Sequence, residues 1–217
     1  MRQLIPVWVI NLHNRPDRLF KIGSLLDEMG VIWTRIDAVD GRKCDENILS
    51  ISNKKGQIGN LSKSVRGCTA SHFSFWKILL ESEYQFGIIL EDDIVLSKDF
   101  KDIVCDTSWV PKKSNIIKLE KFAGNKVSKL LLGASITSAL NNSRFVHKMY
   151  SRHAGTGAYL MTKSGAEKAV NWKKSFTVPV DHLLFNETVS KLSSSLNPLI
   201  LIPPLAWQEN VNGDHSN

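Results

Sequence analysis

Gly87-Ile88-Ile89-Leu90-Glu91-Asp92-Asp93 is the stretch that decides the fold of this chain. Gly87 to Leu90 is a short apolar run of the kind that forms a strand buried on both faces of a sheet. It leads directly into three adjacent carboxylates. Such groups repel one another, and at a buried strand end this costs stability unless hydrogen bonds or a cation offset it. A hard divalent ion, Mn²⁺ or Mg²⁺, prefers carboxylate oxygens and bridges them to substrate phosphates. The triplet also reads as an acidic turn or helix cap opening the segment Ile94 to Val104. On an extended chain Glu91 and Asp93 project to one side and Asp92 to the other.

Upstream of this stretch the apolar pattern alternates between strand and helix. Pro6 to Leu12 is a continuous apolar run, read as a buried strand rather than as a signal peptide, since it is short and has no small-residue cleavage site. Arg15 to Met29 is amphipathic, with Leu19, Ile22, Leu25, Leu26 and Met29 on one face, and Gly30 ends it. Val31 to Ile36 is a second strand, Asn53 to Arg66 a Gly-, Ser- and Lys-bearing loop, and Thr69 to Ser82 a second helix. The spacing predicts an α/β fold with a mostly parallel central sheet and helices on both faces. Ligands of such sheets bind beyond the carboxyl ends of the strands. Downstream, Ile116 to Leu119, Phe145 to Tyr150 and Ala158 to Thr162 read as short strands, and Ser164 to Trp172 and Val180 to Leu192 as helices.

The 217 residues suit one domain, 1–217, in two halves, residues 1–100 and 101–217. Hydrophobic residues at 42% and charged residues at 23% exclude a disordered or fibrous chain. The net charge is +7, and between Lys101 and Lys174 there are 14 basic residues against 4 acidic ones. That excess is either a solvated surface or a means of attracting phosphates, an anionic glycolipid or a membrane surface. Nucleic acid is not the expected partner, because the run lacks interleaved aromatics and any binding motif. Cys44, Cys68 and Cys105 are unpaired in spacing, so no zinc cage or disulfide framework is expected and a reduced, cytoplasmic setting fits. No stretch approaches the roughly 20 apolar residues needed to cross a bilayer, so membrane contact is expected to be peripheral.

Four further segments carry candidate chemistry. Asn11 to Arg18 leaves the first strand and starts a helix, where Arg15 and Arg18 can pair with phosphate or with Asp17. Gly67 to His72 places small residues, among them Ser71, before a helix whose free N–H groups attract anions, with His72 able to donate to a phosphate or ribose. Gly155-Thr156-Gly157 leads into a strand and allows either close approach to a ligand or a tight bend. Asp181, in the first turn of a helix, is either a plain cap or the carboxylate base that takes a proton from a sugar hydroxyl.

The ordered set V-I-N-L-x-x-R-x-D-R from Val9, I-D-A-V-D-G (Ile36 to Gly41), G-C-x-x-S-H-x-x-x-W (Gly67 to Trp76), I-L-E-D-D (Ile89 to Asp93), G-T-x-A-Y-L-M-T (Gly155 to Thr162) and P-V-D (Pro179 to Asp181) resembles glycosyltransferase family 25. That family holds bacterial lipooligosaccharide galactosyltransferases and animal collagen galactosyltransferases. The resemblance implies a GT-A-like fold with residues 1–100 as the nucleotide-sugar-binding half and 101–217 as the acceptor-binding half, a UDP-sugar donor (most often UDP-galactose, with UDP-glucose possible) and a divalent metal. It also implies a lipooligosaccharide or lipopolysaccharide acceptor, with the enzyme in the cytoplasm or peripheral on the inner membrane. Carried over residue by residue, Asp93 is the metal ligand and Glu91 and Asp92 hold the ribose or the transferred sugar. Asn11, Arg15, Arg18, Asp37, Ser71 and His72 belong to donor binding, Gly155, Thr156 and Gly157 to the acceptor or sugar, and Asp181 is the base. Members generally form β-linkages, which implies inversion. They also usually continue past Pro203 to Gln208, often into a basic tail, whereas this sequence stops at Asn217. A further metal ligand is expected near the C-terminus, with His215 or Asp214 as candidates. The competing expectation is a sugar- or nucleotide-binding protein of the same fold with weak or no turnover.

Overall fold

The computed structural model describes residues 3–121, 130–172 and 175–208. In chain order the elements are β1 (Val7–Asn11), α1 (Pro16–Glu28), β2 (Trp33–Asp37), β3 (Lys55–Gly56), β4 (Gly59–Asn60), α2 (Lys63–Glu81), β5 (Phe86–Glu91), β6 (Ile94–Leu96) and α3 (Phe100–Val104). They continue with β7 (Ile116–Lys118), β8 (Leu132–Ala139), β9 (Arg144–Met149), β10 (Ala158–Thr162), α4 (Lys163–Val170), α5 (Val180–Phe185), α6 (Lys191–Leu196), β11 (Leu199–Ile202) and β12 (Ala206–Gln208).

Eight strands form the central sheet in the order β2-β1-β5-β10-β7-β11-β9-β8. β1 is parallel to β2 and β5, and β7 to β11. β10 is inserted antiparallel between β5 and β7, and β9 is antiparallel to both β11 and β8. The sheet is therefore mixed: six strands share one direction while β9 and β10 oppose it. Alternate residues of the central strands enter opposite cores. Val7, Val9, Ile88, Leu90 and Leu160 pack with α1 and α3, and Trp8, Ile10, Ile89, Tyr159 and Met161 pack with α2 and α4–α6. This two-sided burial is why the strands read as unbroken apolar runs.

The register gathers the chemistry at one edge. Ile10 lies opposite Glu91, Ala158 opposite Leu90, and Tyr159 opposite Lys118. The carboxyl ends of β1, β5 and β7 and the beginning of β10 therefore meet there.

Several boundaries differ from the sequence expectation. Asn53 to Arg66 holds the short β3–β4 hairpin and the first turn of α2, whose N-cap Ser62 accepts a hydrogen bond from the Val65 N–H at 3.3 Å. Gly67 to His72 is thus interior helix, with its N–H groups engaged in the helical ladder, and the expected anion-binding helix start at these residues is corrected. The expected helix Val180 to Leu192 breaks into α5 and α6. Asn186 takes up the Thr188 N–H and hydroxyl, and the Ser190 hydroxyl bonds the Leu183 carbonyl, a side-chain competition that interrupts the helix. Ile94 to Val104 is β6 followed by α3 rather than one helix, and β6 pairs with β12. No helix among the described residues is long and apolar enough to cross a membrane.

Gly67 serves packing. A Cβ placed there would lie 2.6 Å from both the Val39 carbonyl oxygen and the Gly41 nitrogen, and one on Gly41 would lie 1.8 Å from the Lys63 carbonyl oxygen. The Ala38–Gly41 segment and α2 therefore touch backbone to backbone, and the Val39 N–H donates to the Ser71 hydroxyl at 2.8 Å. Gly67→Ala gains up to about 1 kcal/mol of helix propensity and incurs overpacking of about 1–3 kcal/mol. We expect a net loss of stability, read as a lower urea midpoint at unchanged slope.

Candidate active site

β5 delivers Glu91 to the sheet edge, and the chain turns immediately, so Asp92 and Asp93 occupy the turn before β6. The extended-chain alternation expected for the triplet is lost for this reason. All three carboxylates instead line one cleft of about 310 Å³ together with Arg18, Ser71 and His72. The floor and rim of the cleft include Ile10 and Leu12 from the end of β1, Cys68 from α2, and Ala38 to Arg42.

Each carboxylate is compensated differently. The Glu91 Oε1 accepts the Thr156 hydroxyl at 2.6 Å and lies 3.2 Å from the His72 Nε2. The Trp76 Nε1–H donates to the Tyr159 hydroxyl oxygen at 3.0 Å, which leaves the tyrosine proton for the His72 Nδ1 at 3.0 Å. The network thereby assigns His72 the tautomer that donates from Nε2 to Glu91. Burial pushes Glu91 up, but the His72 and Thr156 hydrogen bonds and the Lys118 cation outweigh it and hold the carboxyl below its ordinary value. Asp92 accepts from the Asn11 side-chain amide at 2.7 Å and from Arg18 at 3.2 Å.

Asp93 is the least compensated of the three. Arg18 reaches its Oδ2 at 3.0 Å, while its Oδ1 is buried with no protein partner. Burial, then the charge of Glu91, raise the Asp93 pKa against the pull of Arg18. The Asn11 Oδ1 is a second buried acceptor without a partner. Orphaned acceptors of this kind fit a cation or a hydrogen-bond-donating ligand.

A trio the sequence did not suggest also bears on metal binding. Ligand atoms of Cys68, His72 and Glu91 lie within 4.8 Å of one another. Two observations count against a metal there. In the tautomer that the Tyr159 contact favours, the His72 Nε2 offers Glu91 a proton and has no lone pair free for a metal. Cys68 is exposed as a residue, but desolvation on its cleft side, then the charges of Glu91, Asp181 and Asp93, push its thiol pKa up, away from the thiolate a metal needs. Asp93 is the better seat for a hard ion. His215 and Asp214 lie outside the described residues.

Other candidates fall away from the cleft. Asp37 is turned outward in an ion pair with Arg35 at 2.8 Å, and Asp40 and Gly41 of the same segment line the cleft in its place. Arg15 pairs with Asp17 at 2.7 Å on the surface, a short-range bond that satisfies both at the start of α1. Asp181 sits in the first turn of α5, accepting the His182 N–H at 2.8 Å and the Gly155 N–H at 3.4 Å. Gly155 takes φ +85°, and a Cβ there would strike the Glu120 carboxylate, while one on Gly157 would strike Ile94 and crowd that carboxylate. The close approach these glycines permit is thus to Glu120, not to open cleft, while Thr156 between them turns to Glu91. In the basic run, Arg144 is spent on Asp99 and on the carbonyls of Pro203 and Pro204.

The profile of "Glycosyltransferase family 25 (LPS biosynthesis protein)" matches residues 4–184, and the chain belongs to that family. The "Lipooligosaccharide biosynthesis protein lex-1" of Haemophilus influenzae is 27% identical over 157 residues, which are 67% of this chain and 51% of that one. The "Probable inactive glycosyltransferase 25 family member 3" of Bos taurus is 30% identical over 103 residues, 44% of this chain and 17% of that one. The chain therefore spans about half of the first relative and a sixth of the second. A crystallised glycosyltransferase "involved in the glycosylation of the major capsid of PBCV-1" overlays with TM-score 0.47 at 9% identity, covering 94% of this chain and 92% of that one. The fold is α/β, a mixed sheet with helices on both faces, as the resemblance implied.

Two measurements test this site. Tyr159→Phe leaves the Trp76 N–H and the His72 Nδ1 without their shared partner, at a cost of about 1–3 kcal/mol in denaturant unfolding. His153 is buried beside the Gly155 turn, and burial, then the Lys118 charge, lower its pKa from 6.5 to about 4. The folded value is the depressed one, so the unfolded state binds more protons and this stability is lost as pH falls from 6.5 toward about 4. His153→Phe is expected to flatten that part of the stability–pH curve.

Proposed function

We propose that this chain is a metal-dependent, inverting hexosyltransferase that moves galactose, or else glucose, from a UDP-sugar to a lipooligosaccharide or lipopolysaccharide acceptor. The observation that carries the reading is Asp93. It stands in a cleft with two neighbouring carboxylates, one oxygen buried without a partner and the whole group pushed toward protonation. That is how a carboxylate behaves when the positive charge it is built for comes with a ligand.

Asp93 would hold Mn²⁺ or Mg²⁺, whose charge stabilises the leaving diphosphate. Arg18, on the same wall, adds a fixed cation for the phosphates. Glu91, kept ionised by His72 and Thr156, accepts hydrogen bonds from hydroxyls of the ribose or the transferred sugar. Ser71 is committed to Val39 and holds the Ala38–Gly41 rim in place. In the transfer, the acceptor hydroxyl oxygen attacks the anomeric carbon and its proton passes to Asp181. The bond from that carbon to the diphosphate oxygen breaks, and its electron pair leaves on UDP. One displacement at the anomeric carbon inverts it, so no sugar–enzyme bond forms. The membership of lex-1 in lipooligosaccharide biosynthesis supports the acceptor class, and the basic excess suits an anionic glycolipid at the inner-membrane surface.

Binding without turnover is the competing reading, favoured by the inactivity that the bovine relative's name records. A UDP-sugar panel with Mn²⁺ and deacylated lipooligosaccharide separates the two. We expect UDP release that needs both metal and acceptor and is fastest with UDP-galactose. Donor-induced thermal stabilisation with no release on any acceptor would leave only a binding protein. Asp181→Asn should lower kcat by on the order of 10²–10⁴-fold, as for loss of a general base, with donor binding retained. In Asp93→Asn the metal requirement should weaken together with donor binding.

A further inference from the structure

Lys118 and Glu120, at the end of β7, are both completely buried. The Lys118 Nζ donates to the Glu120 Oε2 at 3.3 Å and to the Gly155 carbonyl, and lies 4.4 Å over the Phe185 ring. The Glu120 Oε2 also accepts the Gly157 N–H at 2.9 Å, while its Oε1 has no partner. Burial pushes Glu120 up and Lys118 down, each opposed by the other. A buried pair of this kind is a poor source of stability, because apolar side chains of similar volume usually do as well or better.

The contacts of the pair say what else it does. It grips the Gly155–Gly157 turn from beneath, by a carbonyl at one end and an N–H at the other. From above, the same turn reaches two carboxylates. Thr156 donates to Glu91, the Gly157 carbonyl accepts the Glu91 N–H at 2.8 Å, and the Gly155 N–H approaches Asp181. A Cβ on Gly155 would lie 2.7 Å from the Glu120 Oε2, and one on Gly157 would meet the Ile94 Cγ2 at 2.8 Å and crowd the Glu120 Oε1 at 3.1 Å.

We infer that Lys118 and Glu120 are positioning residues that clamp the Gly155–Gly157 turn and thereby fix Glu91 of the donor cleft relative to Asp181. This rests on the transferase reading above. The residues touch no substrate; they act through the turn, and a displacement of about 1 Å in a reacting group can cost on the order of 10²-fold in rate.

The test compares K118M/E120L, which removes both grips without leaving a buried charge, with K118M/E120Q, which keeps an acceptor for the Gly157 N–H. Wild type runs in the same assay. We expect K118M/E120L to stay folded, with a thermal midpoint near that of wild type, and to lose at least about tenfold in kcat. Its donor KM should rise by a smaller factor than kcat falls, because Glu91 is displaced while Arg18, Asp92 and Asp93 are untouched. K118M/E120Q should recover part of the lost kcat. A folded K118M/E120L with kcat within twofold of wild type overturns the inference, as does a change confined to donor KM. Should that variant not fold, K118M/E120Q decides: a kcat equal to wild type overturns it, and a kcat loss larger than any rise in donor KM supports it. A wild type that transfers no sugar from any donor defeats the transferase reading instead, whatever the variants do.

Discussion

Negative charge brought to the end of a strand buried on both faces must be met by something, and the surroundings of β5 are organised to meet it. Glu91 receives a tyrosine-backed histidine and a threonine hydroxyl, Asp92 an amide and a guanidinium, and Asp93 half of that same guanidinium. The compensation declines along the triplet. It is complete where the chain is still strand and partial where the turn leaves the sheet and opens to the cleft. The gradient leaves fixed hydrogen-bond acceptors next to a carboxylate still short of positive charge.

Precision at this edge comes from backbone contacts more than from side chains. Gly41 against Gly67 sets the distance of the Ala38–Gly41 rim from α2, and Gly155 and Gly157 bring the turn before β10 onto Glu120. In each case a missing Cβ lets two main chains, or a main chain and a carboxylate, come closer than alanine allows. Cleft walls seated in this way cannot slide without breaking these close van der Waals contacts.

The central architecture was legible because burial on both faces leaves unbroken apolar runs. Pro6 to Leu12, Gly87 to Leu90 and Ala158 to Thr162 were all readable as strands. The direction of β10 was not, since composition does not say which way a strand runs. β11 and β12 went unread because Pro198, Pro203 and Pro204 punctuate their segment, and β8 because its exposed Ser and Ala residues lack an apolar signal. The acidic triplet, Arg18, Ser71 and His72 were found as a group and do share one cleft, whereas Asp37 and Arg15 were drawn off by nearer partners of opposite charge. Gly67 to His72 was misplaced to a helix start because the true cap, Ser62, stands in a polar stretch that looks like loop. Lys118 and Glu120 carried a usable sign in retrospect: two opposite charges spaced to share one face at the end of an apolar run.

The reversed strand β10 has a practical consequence. In the central sheet β2, β1 and β5 come from residues 1–100 and β10, β7, β11, β9 and β8 from 101–217, so the nominal halves meet along one antiparallel seam, β5 against β10. A fragment ending near residue 100 would present the flank of β5 as a bare, apolar template for self-association. Split reporters, domain swaps and circular permutations of this protein should therefore keep β5, β7 and β10 in one polypeptide.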